Sequence, residues 1–404
     1  MVSIEEAQRI ILQNSSPLLS EKVSLLQGSG RVVNEDIHAP YDIPAADNSA
    51  MDGYAFSHSG LEGNCLTVTG FIPAGVVRTV PVQLGEAVRI MTGAPIPPGC
   101  DTVVPIEQVE ETGGTIRLIG NVRLGSHIRR RGDDIRAGEK TFPTGTFLRP
   151  QEIGMLAAFG KTEIKVYRNP KIGVLATGDE LLEPGTALIP GKIMNSNSFS
   201  IGSQVMEAGS TPVMLGIADD DFSSIREKIL SGLQLDLLIT TGGVSVGDKD
   251  YVKEVIAELG GEILFWKVNM KPGKPVAFAI VQGKPVFALP GNPVAAMVSF
   301  EMFVRPALLR MMGHTRIFRP TIKAALAEQV TNRRDRPHLI RVLVEKRHEG
   351  YIATPTGNQC SARLSSLTLG NGLLRLMPGA DLAPGDNVEI SLLDSRFGMG
   401  EASL

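Results

Sequence analysis

At 404 residues the chain is too long for one compact core and predicts two to three domains of about 150 residues each. Hydrophobic residues make up 43% and charged residues 21%, enough apolar material for real cores in a soluble globular protein. The 40 basic and 43 acidic residues give a net charge of −3, which excludes a global field for gripping nucleic acid or an anionic membrane and makes any anion site local.

The first predicted element, "SIEEAQRIILQN", reads as an amphipathic helix with acids in its first turn. It lacks the basic-then-apolar layout of a signal peptide, and no apolar run approaches the roughly 18 residues of a membrane span. Cys65, Cys100 and Cys360 fit no zinc or iron–sulfur spacing and their odd number argues against a disulfide framework, so a reducing cytoplasm is expected. From "HAPYDIPAADNSAMDGYAF" to "RRGDDIRAGEK", short runs such as "CLTVTGFI" and "DTVVPIEQVEE" between turn residues predict a small all-β unit. Helical patterns flank it, with "RPQEIGMLAAFG" on the far side, so the β unit (39–137) is expected as an insertion into a split helical segment (1–38 and 138–168).

Next come "KIGVLAT", "TPVMLGIA", "LDLLITT" and "KPVFALPG", alternating with helical patterns that include "NPVAAMVSFEMFVRPALLRMMG". Alternating strand and helix predicts a doubly wound parallel sheet over 169–318. Short β runs from about Arg319 onward predict a separate C-terminal β domain (319–404).

In such a sheet ligands bind beyond the carboxyl ends of the strands. After "VLAT", Gly178 allows a sharp turn and Asp179 and Glu180 emerge at the mouth, unless they only cap a helix. In "LITTGGVSVGDKDY", Gly242, Gly243 and Gly247 surround Ser245, with acids at Asp248 and Asp250. Backbone N–H groups of this loop make an anion cradle suited to phosphate, and carboxylates beside it imply Mg²⁺ at Asp250, although a plain helix cap fits the same residues. Lys267, Lys271 and Lys274 cluster in "FWKVNMKPGKPVAF" as candidate phosphate or oxyanion ligands, unless they are snorkelling surface groups, and Pro290 and Pro293 stiffen the next turn. In the β unit, Arg129, Arg130 and Arg131 lie beside Asp133 and Asp134, where they form either an oxyanion site or a solvated face. "DNSAMDGYAF" matches neither secondary-structure period and reads as an irregular loop presenting a carboxylate, anchored by Met51, Tyr54 and Phe56.

Seven motifs in order, "DNSAMDGYAF", "RIMTGAPIP", "RRRGDDI", "TGDEL", "TGGVSVGDKDY", "KPGKP" and "LPGNP", resemble the molybdopterin molybdenumtransferases, the family of bacterial MoeA proteins and the gephyrin E domain. The resemblance covers nearly the whole chain. It implies a multidomain α/β plus β fold, with a split helical segment, an inserted β domain, a molybdopterin-binding α/β domain and a C-terminal β-barrel-like domain. It also implies a reaction, in which adenylylated molybdopterin and molybdate give molybdenum cofactor and AMP with Mg²⁺. Carried over by motif, it implicates Asp52, Thr92, Asp134, Glu180 and Asp250 in catalysis, and Lys267, Lys271, Pro290 and Pro293 in the site. A family aspartate falls on Asp220 or a neighbour in "ADDDF" and would join Glu180 and Asp250 at the metal. A C-terminal serine falls on Ser361 or Ser365, with Ser365 taken as the substrate contact. The resemblance further implies a homodimer, with the molybdopterin adenylyltransferase and cofactor-accepting enzymes as other partners.

Two other readings compete. The adenylyltransferase that makes the substrate shares the "TGGVS" loop, but about 165 N-terminal residues and the C-terminal β domain would then be unexplained. A non-catalytic scaffold like gephyrin is disfavoured by the lack of a long linker or a second α/β domain in the sequence.

Overall fold

The computed structural model describes residues 1–244, 251–348, 350–394 and Phe397. The chain forms two compact units, Met1–Asn34 with Gly145–Arg149 and Glu163–Leu404, and Glu35–Thr144 with Pro150–Thr162.

The first unit is built on a six-stranded sheet ordered Thr211–Ala218, Lys171–Thr177, Leu237–Thr241, Lys284–Leu289, Ala277–Val281 and Glu262–Phe265. The first four strands are parallel. Leu237–Thr241 is buried throughout, as expected for a strand covered by helices on both faces, and so it reads as one apolar run. Ala277–Val281 runs antiparallel to both its neighbours, Lys284–Leu289 and Glu262–Phe265, a detail that the expected doubly wound parallel sheet did not include. A tight turn at Gln282 and Gly283, both at positive φ, folds Lys284–Leu289 back on Ala277–Val281.

One face of the sheet packs Ile172, Val174, Leu237 and Ile239 against Ile201 and Val205, and the other packs Leu175 and Leu238 against Ile225, Ile229 and Val252. The helices start where caps allow: Asn195 accepts from the Ser198 N–H before Ser196–Glu207, and Asp221 accepts from the Ser223 and Ser224 N–H groups before Phe222–Gly232. The long helical pattern from Pro293 is interrupted, with a π turn at Phe300–Val304 between Pro293–Ser299 and Arg305–Met311. Pro306 has no N–H to give to the Met302 carbonyl, and Gln8 Nε2 donates to it instead at 3.0 Å. That bond belongs to the N-terminal helix, Ile4–Gln13, whose Ile4, Ala7 and Ile11 enter the same core. The second helix of the expected split segment, Pro150–Ala158, lies in the other unit.

Strands Thr321–Leu326, Gly350–Pro355, His338–Arg347, Gly372–Leu376 and Asn387–Leu392 close into a barrel around Ala324, Ile340, Val342, Leu374 and Ile390. Main-chain bonds from Lys271 N–H to the Pro337 carbonyl and from Leu339 N–H to the Lys271 carbonyl tie the start of His338–Arg347 to the α/β domain.

The second unit carries a six-stranded sheet in which Gly53–Phe56 pairs with Glu86–Ile90 on one side and Thr102–Pro105 on the other. "GYAF" is therefore a central strand and not an irregular loop; all four residues are buried, so no alternation marks it. A Cβ on Gly53 would lie 1.9 Å from the Val104 carbonyl oxygen, which explains the glycine. Tyr54 and Phe56 are anchors, as expected, but Met51 is 39% exposed and is not. No helix among the described residues is long and apolar enough to cross a membrane.

Candidate active site

Because four strands are parallel, the segments that follow Thr177, Thr241 and Leu289 emerge at one edge of the sheet. They surround a cavity of about 650 Å³ lined by Gly178, Glu180, Asp220, Gly242, Gly243, Pro290 and Pro293 among others. Gly242 sits at φ +92, where a Cβ would lie 2.4 Å from the Thr177 carbonyl oxygen, so only glycine lets the loop fold back over the strand end. Of the three consecutive acids, Asp220 lines the cavity while Asp221 is spent capping its helix. Asp220 is fixed by exchange with its neighbour loop, its N–H donating to Asp179 Oδ1 at 2.9 Å and its Oδ2 accepting from Asp179 N–H at 3.3 Å. Ser245, Gly247, Asp248 and Asp250 lie outside the described residues.

Four lining side chains carry a buried polar atom with no partner among the described residues: Thr177 Oγ1, Asn195 Nδ2, Asn197 Oδ1 and Thr241 Oγ1. A wall of unmet donors and acceptors suits a flat, hydrogen-bonding heterocycle better than an apolar ligand. The sequence reading missed both asparagines, which precede or open a helix in a stretch with no glycine signal.

A second cavity of about 300 Å³ shares Pro275, Pro290 and Asn292 with the first. Lys271, Lys274, Arg334, Arg336 and Ser361 line it, and no carboxylate does among its described lining residues. The positive charges crowd one another. Burial, then Arg334 and Arg341, push the Lys271 ammonium below the ordinary lysine range. Burial, followed by Lys271, Arg341 and Arg334, pushes His338 down to about 4, and its Nε2 has no partner among the described residues. A cluster of this kind, with no carboxylate in its described lining, has the charge to attract an anion.

His338 makes a pH prediction. Its folded pKa lies below its unfolded value, so between the two the unfolded chain holds the proton and the folded chain does not. Stability is full above about pH 6.5 and is lost as pH falls toward about 4, by on the order of 2 kcal/mol once residual solvent screening is allowed for. Urea unfolding from pH 7 to pH 4 should show this slope in the parent and a shallower one in His338→Gln; identical slopes would contradict the assignment.

Several sequence-predicted residues fall elsewhere. Lys267 lines neither cavity, and its carbonyl accepts from Val2 N–H. Lys274 takes a place there, while Ser365 opens the Ser365–Thr368 helix away from both linings and Ser361 is the serine at the basic cavity.

In the other unit, Asp52 Oδ1 accepts from both Thr92 N–H and Thr92 Oγ1 at 2.7 Å, which together hold its carboxyl below the usual range. The arginine run is largely committed to structure: Arg130 Nη1 donates to Asp47 Oδ2 at 2.6 Å, Arg130 N–H donates to Asp133 Oδ2 at 2.6 Å, and Arg131 bonds Asp42. Arg129 pairs through its backbone with Asn48, and the main-chain N–H of Asp134 donates to the Ile43 carbonyl at 3.0 Å.

This geometry has counterparts. Residues 2–160 match the family described as MoeA N-terminal region (domain I and II), residues 173–310 the "probable molybdopterin binding domain", and residues 323–393 the MoeA C-terminal region (domain IV). The chain is 36% identical to molybdopterin molybdenumtransferase 2 of Mycobacterium tuberculosis, with 97% of each chain covered. It belongs to the MoeA family of molybdopterin molybdenumtransferases. A Staphylococcus epidermidis molybdopterin molybdenumtransferase is 33% identical over 98% of this chain and 96% of its own. The solved MoeA protein of Pyrococcus horikoshii OT3 superposes with a TM-score of 0.83 at 31% identity, covering 97% of this chain and 100% of that one. Membership of the MoeA family accounts for the seven motifs and for the multidomain fold, both of which the sequence had led us to expect.

Proposed function

We propose that the chain inserts molybdate into adenylylated molybdopterin and releases AMP in a Mg²⁺-dependent reaction, the last step of molybdenum cofactor assembly. The observation that carries this reading is the pair of adjoining cavities. One is glycine-cradled and carries two carboxylates, Glu180 and Asp220, in its lining; the other is basic and has room for a small oxyanion.

The larger cavity takes the pterin and its phosphates. Glu180 and Asp220 place two oxygen donors in one lining, a set that suits Mg²⁺, which keeps several waters and needs few protein ligands. Asp250, outside the described residues, is the third carboxylate that the family resemblance assigns to the metal. When bound, Mg²⁺ neutralises charge that develops on the phosphoanhydride oxygens as the bond breaks. The loop around Gly242 and Gly243 holds the phosphate chain, and the unmet polar groups of Asn195, Asn197, Thr177 and Thr241 orient the heterocycle. Lys271, Lys274, Arg334, Arg336 and Ser361 hold molybdate next to it. The protein needs no thiolate cluster for molybdenum, because the dithiolene sulfurs of the pterin are the soft ligands. Molybdate and tungstate share this chemistry, and competition between them in the same assay ranks the two.

Asp250→Asn keeps side-chain shape and removes the charge. AMP release at limiting Mg²⁺ is expected to fall by at least about tenfold, roughly 1.4 kcal/mol of barrier. Full activity in this variant would remove Asp250 from the metal site.

The enzyme further acts as a homodimer in which Asp52, with Thr92, Asp134 and the neighbouring arginines, serves the partner's site. A two-fold dimer mixed from Asp52→Ala and Asp250→Ala subunits contains one doubly damaged and one intact site. Random remixing of the two inactive parents should recover about a quarter of wild-type activity, because about half the dimers are mixed. Remixing verified by mass with activity at parental levels would place both aspartates in one chain.

A further inference from the structure

A third cavity, of about 280 Å³, has no part in the reading above, and none of its described lining residues lines either of the other two. It lies at the far ends of two helices that open on the larger cavity. Ser196–Glu207 meets the larger cavity through Ser196 and Asn197 and this one through Gln204 and Glu207. Pro293–Ser299 meets the larger cavity through Pro293 and this one through Met297 and Val298. The helical rise from Asn197 to Glu207 is about 15 Å, which sets the two cavities apart.

One wall is apolar, built from Met297, Leu367, Leu373 and Leu393. On the polar side the donors are engaged. Gln204 Nε2 donates to Glu301 Oε1 at 2.9 Å and to the Met297 carbonyl at 3.3 Å. Arg319 donates from Nε to Glu301 Oε2 at 3.0 Å and from Nη2 to Glu207 Oε1 at 2.8 Å. Asn371 Nδ2 and Thr368 Oγ1 donate to the Val344 and Ser365 carbonyls. Acceptors remain. The two bonds from Nε2 fix which way round the Gln204 amide lies and leave Oε1, on a side chain only 8% exposed, buried with no partner among the described residues. Glu207 is exposed and accepts only from Arg319 among the described residues, while Glu301 enters the lining from the π turn at Phe300–Val304.

We propose that this cavity is a binding site for a small organic cation, an ammonium or guanidinium head on an aliphatic stem. The head donates to Gln204 Oε1 and to Glu207, and the stem packs along Met297 and the leucines. A buried acceptor without a donor is costly, a carboxylate open to solvent on one edge favours a positive charge, and an apolar wall favours methylene groups. The volume lies at the lower end of the range for small-molecule sites. An anion of the same length would meet two glutamates and an arginine already engaged by both.

The test titrates purified full-length protein in low-salt buffer with agmatine, butylammonium and butyrate, by calorimetry and with unfolding midpoints in parallel. Agmatine should bind with a Kd of about 1 mM or tighter, in keeping with its roughly nine non-hydrogen atoms. Butylammonium should bind within about tenfold of it, and butyrate should give no heat. Glu207→Gln, at an exposed position, and Gln204→Met should each weaken agmatine at least about fivefold, the loss of one charge-assisted or buried hydrogen bond. Both should turn over adenylylated molybdopterin within about twofold of wild type; if Gln204→Met does not fold, Glu207→Gln decides alone. Glu180→Gln, in the larger cavity, should leave the agmatine Kd unchanged. The proposal is overturned if neither cation binds wild type at about 10 mM, if butyrate binds as tightly as agmatine, or if Glu207→Gln and Gln204→Met both keep the wild-type Kd. Loss of agmatine binding in Glu180→Gln would overturn it as well, by placing the cation in the larger cavity. N-acetylarginine amide should bind at least about tenfold more weakly than agmatine; an equal Kd would transfer the site to a basic side chain of a partner protein and overturn the small-molecule assignment.

Discussion

Lys271→Ala is expected to raise the molybdate KM by at least about 30-fold while leaving the KM for adenylylated molybdopterin within about threefold. A unit charge about 4 Å from an anion contributes up to about 4 kcal/mol at an effective dielectric of 20. Half of that, about 2 kcal/mol, remains after the neighbouring cations take up part of the role, and it corresponds to the 30-fold figure. The direction follows from the crowding around Lys271. An ammonium pushed below its ordinary range by burial and by Arg334 and Arg341 is relieved when a dianion arrives, so binding and charge are coupled at this residue. An unchanged molybdate KM with an elevated pterin KM would move Lys271 to the pterin phosphate instead.

Gly242→Ala should abolish pterin binding more thoroughly than any single charge deletion at the cradle. The added Cβ meets a backbone oxygen 2.4 Å away, at a φ of +92 that L side chains rarely adopt, and neither atom can rotate out of the way. The loop must therefore shift, and with it the backbone N–H groups proposed to hold the phosphates. We expect at least a hundredfold weaker binding of adenylylated molybdopterin, roughly 2.7 kcal/mol, with far-UV circular dichroism unchanged. Wild-type affinity in this variant would show that the cradle does not contact the ligand.

The part of this site that the sequence made legible is the part that follows strands. "VLATGDE", "LITTGG" and "FALPGNP" each pair an apolar run with a glycine or proline, and parallel strands bring their ends together whatever the details of the helices. The basic cavity was only half legible. Lys271 came from the α/β domain and could be suspected, but Arg334 and Arg336 arrive from the barrel, in "TNRRDRPHLIR", a run that reads as a solvated charge cluster. Arg341 lies in a strand whose first five residues are all buried, so no alternation identifies its face. Lys267, grouped in the sequence with Lys271 and Lys274, lines neither cavity for a related reason: "KVNMKPGK" between two strands has no period from which side-chain direction can be read. "GYAF" was mistaken for a loop because a strand paired on both sides and covered on both faces loses the alternation that marks a strand.

The central claim is that this chain couples loss of AMP to entry of molybdenum. The direct measurement is a single incubation with adenylylated molybdopterin, Mg²⁺ and micromolar molybdate, following AMP release and finished cofactor in the same samples. The account predicts that both products appear together in near-equal amounts, and that omitting either molybdate or Mg²⁺ suppresses the cofactor. Absence of AMP under every combination of molybdate and Mg²⁺ would contradict it.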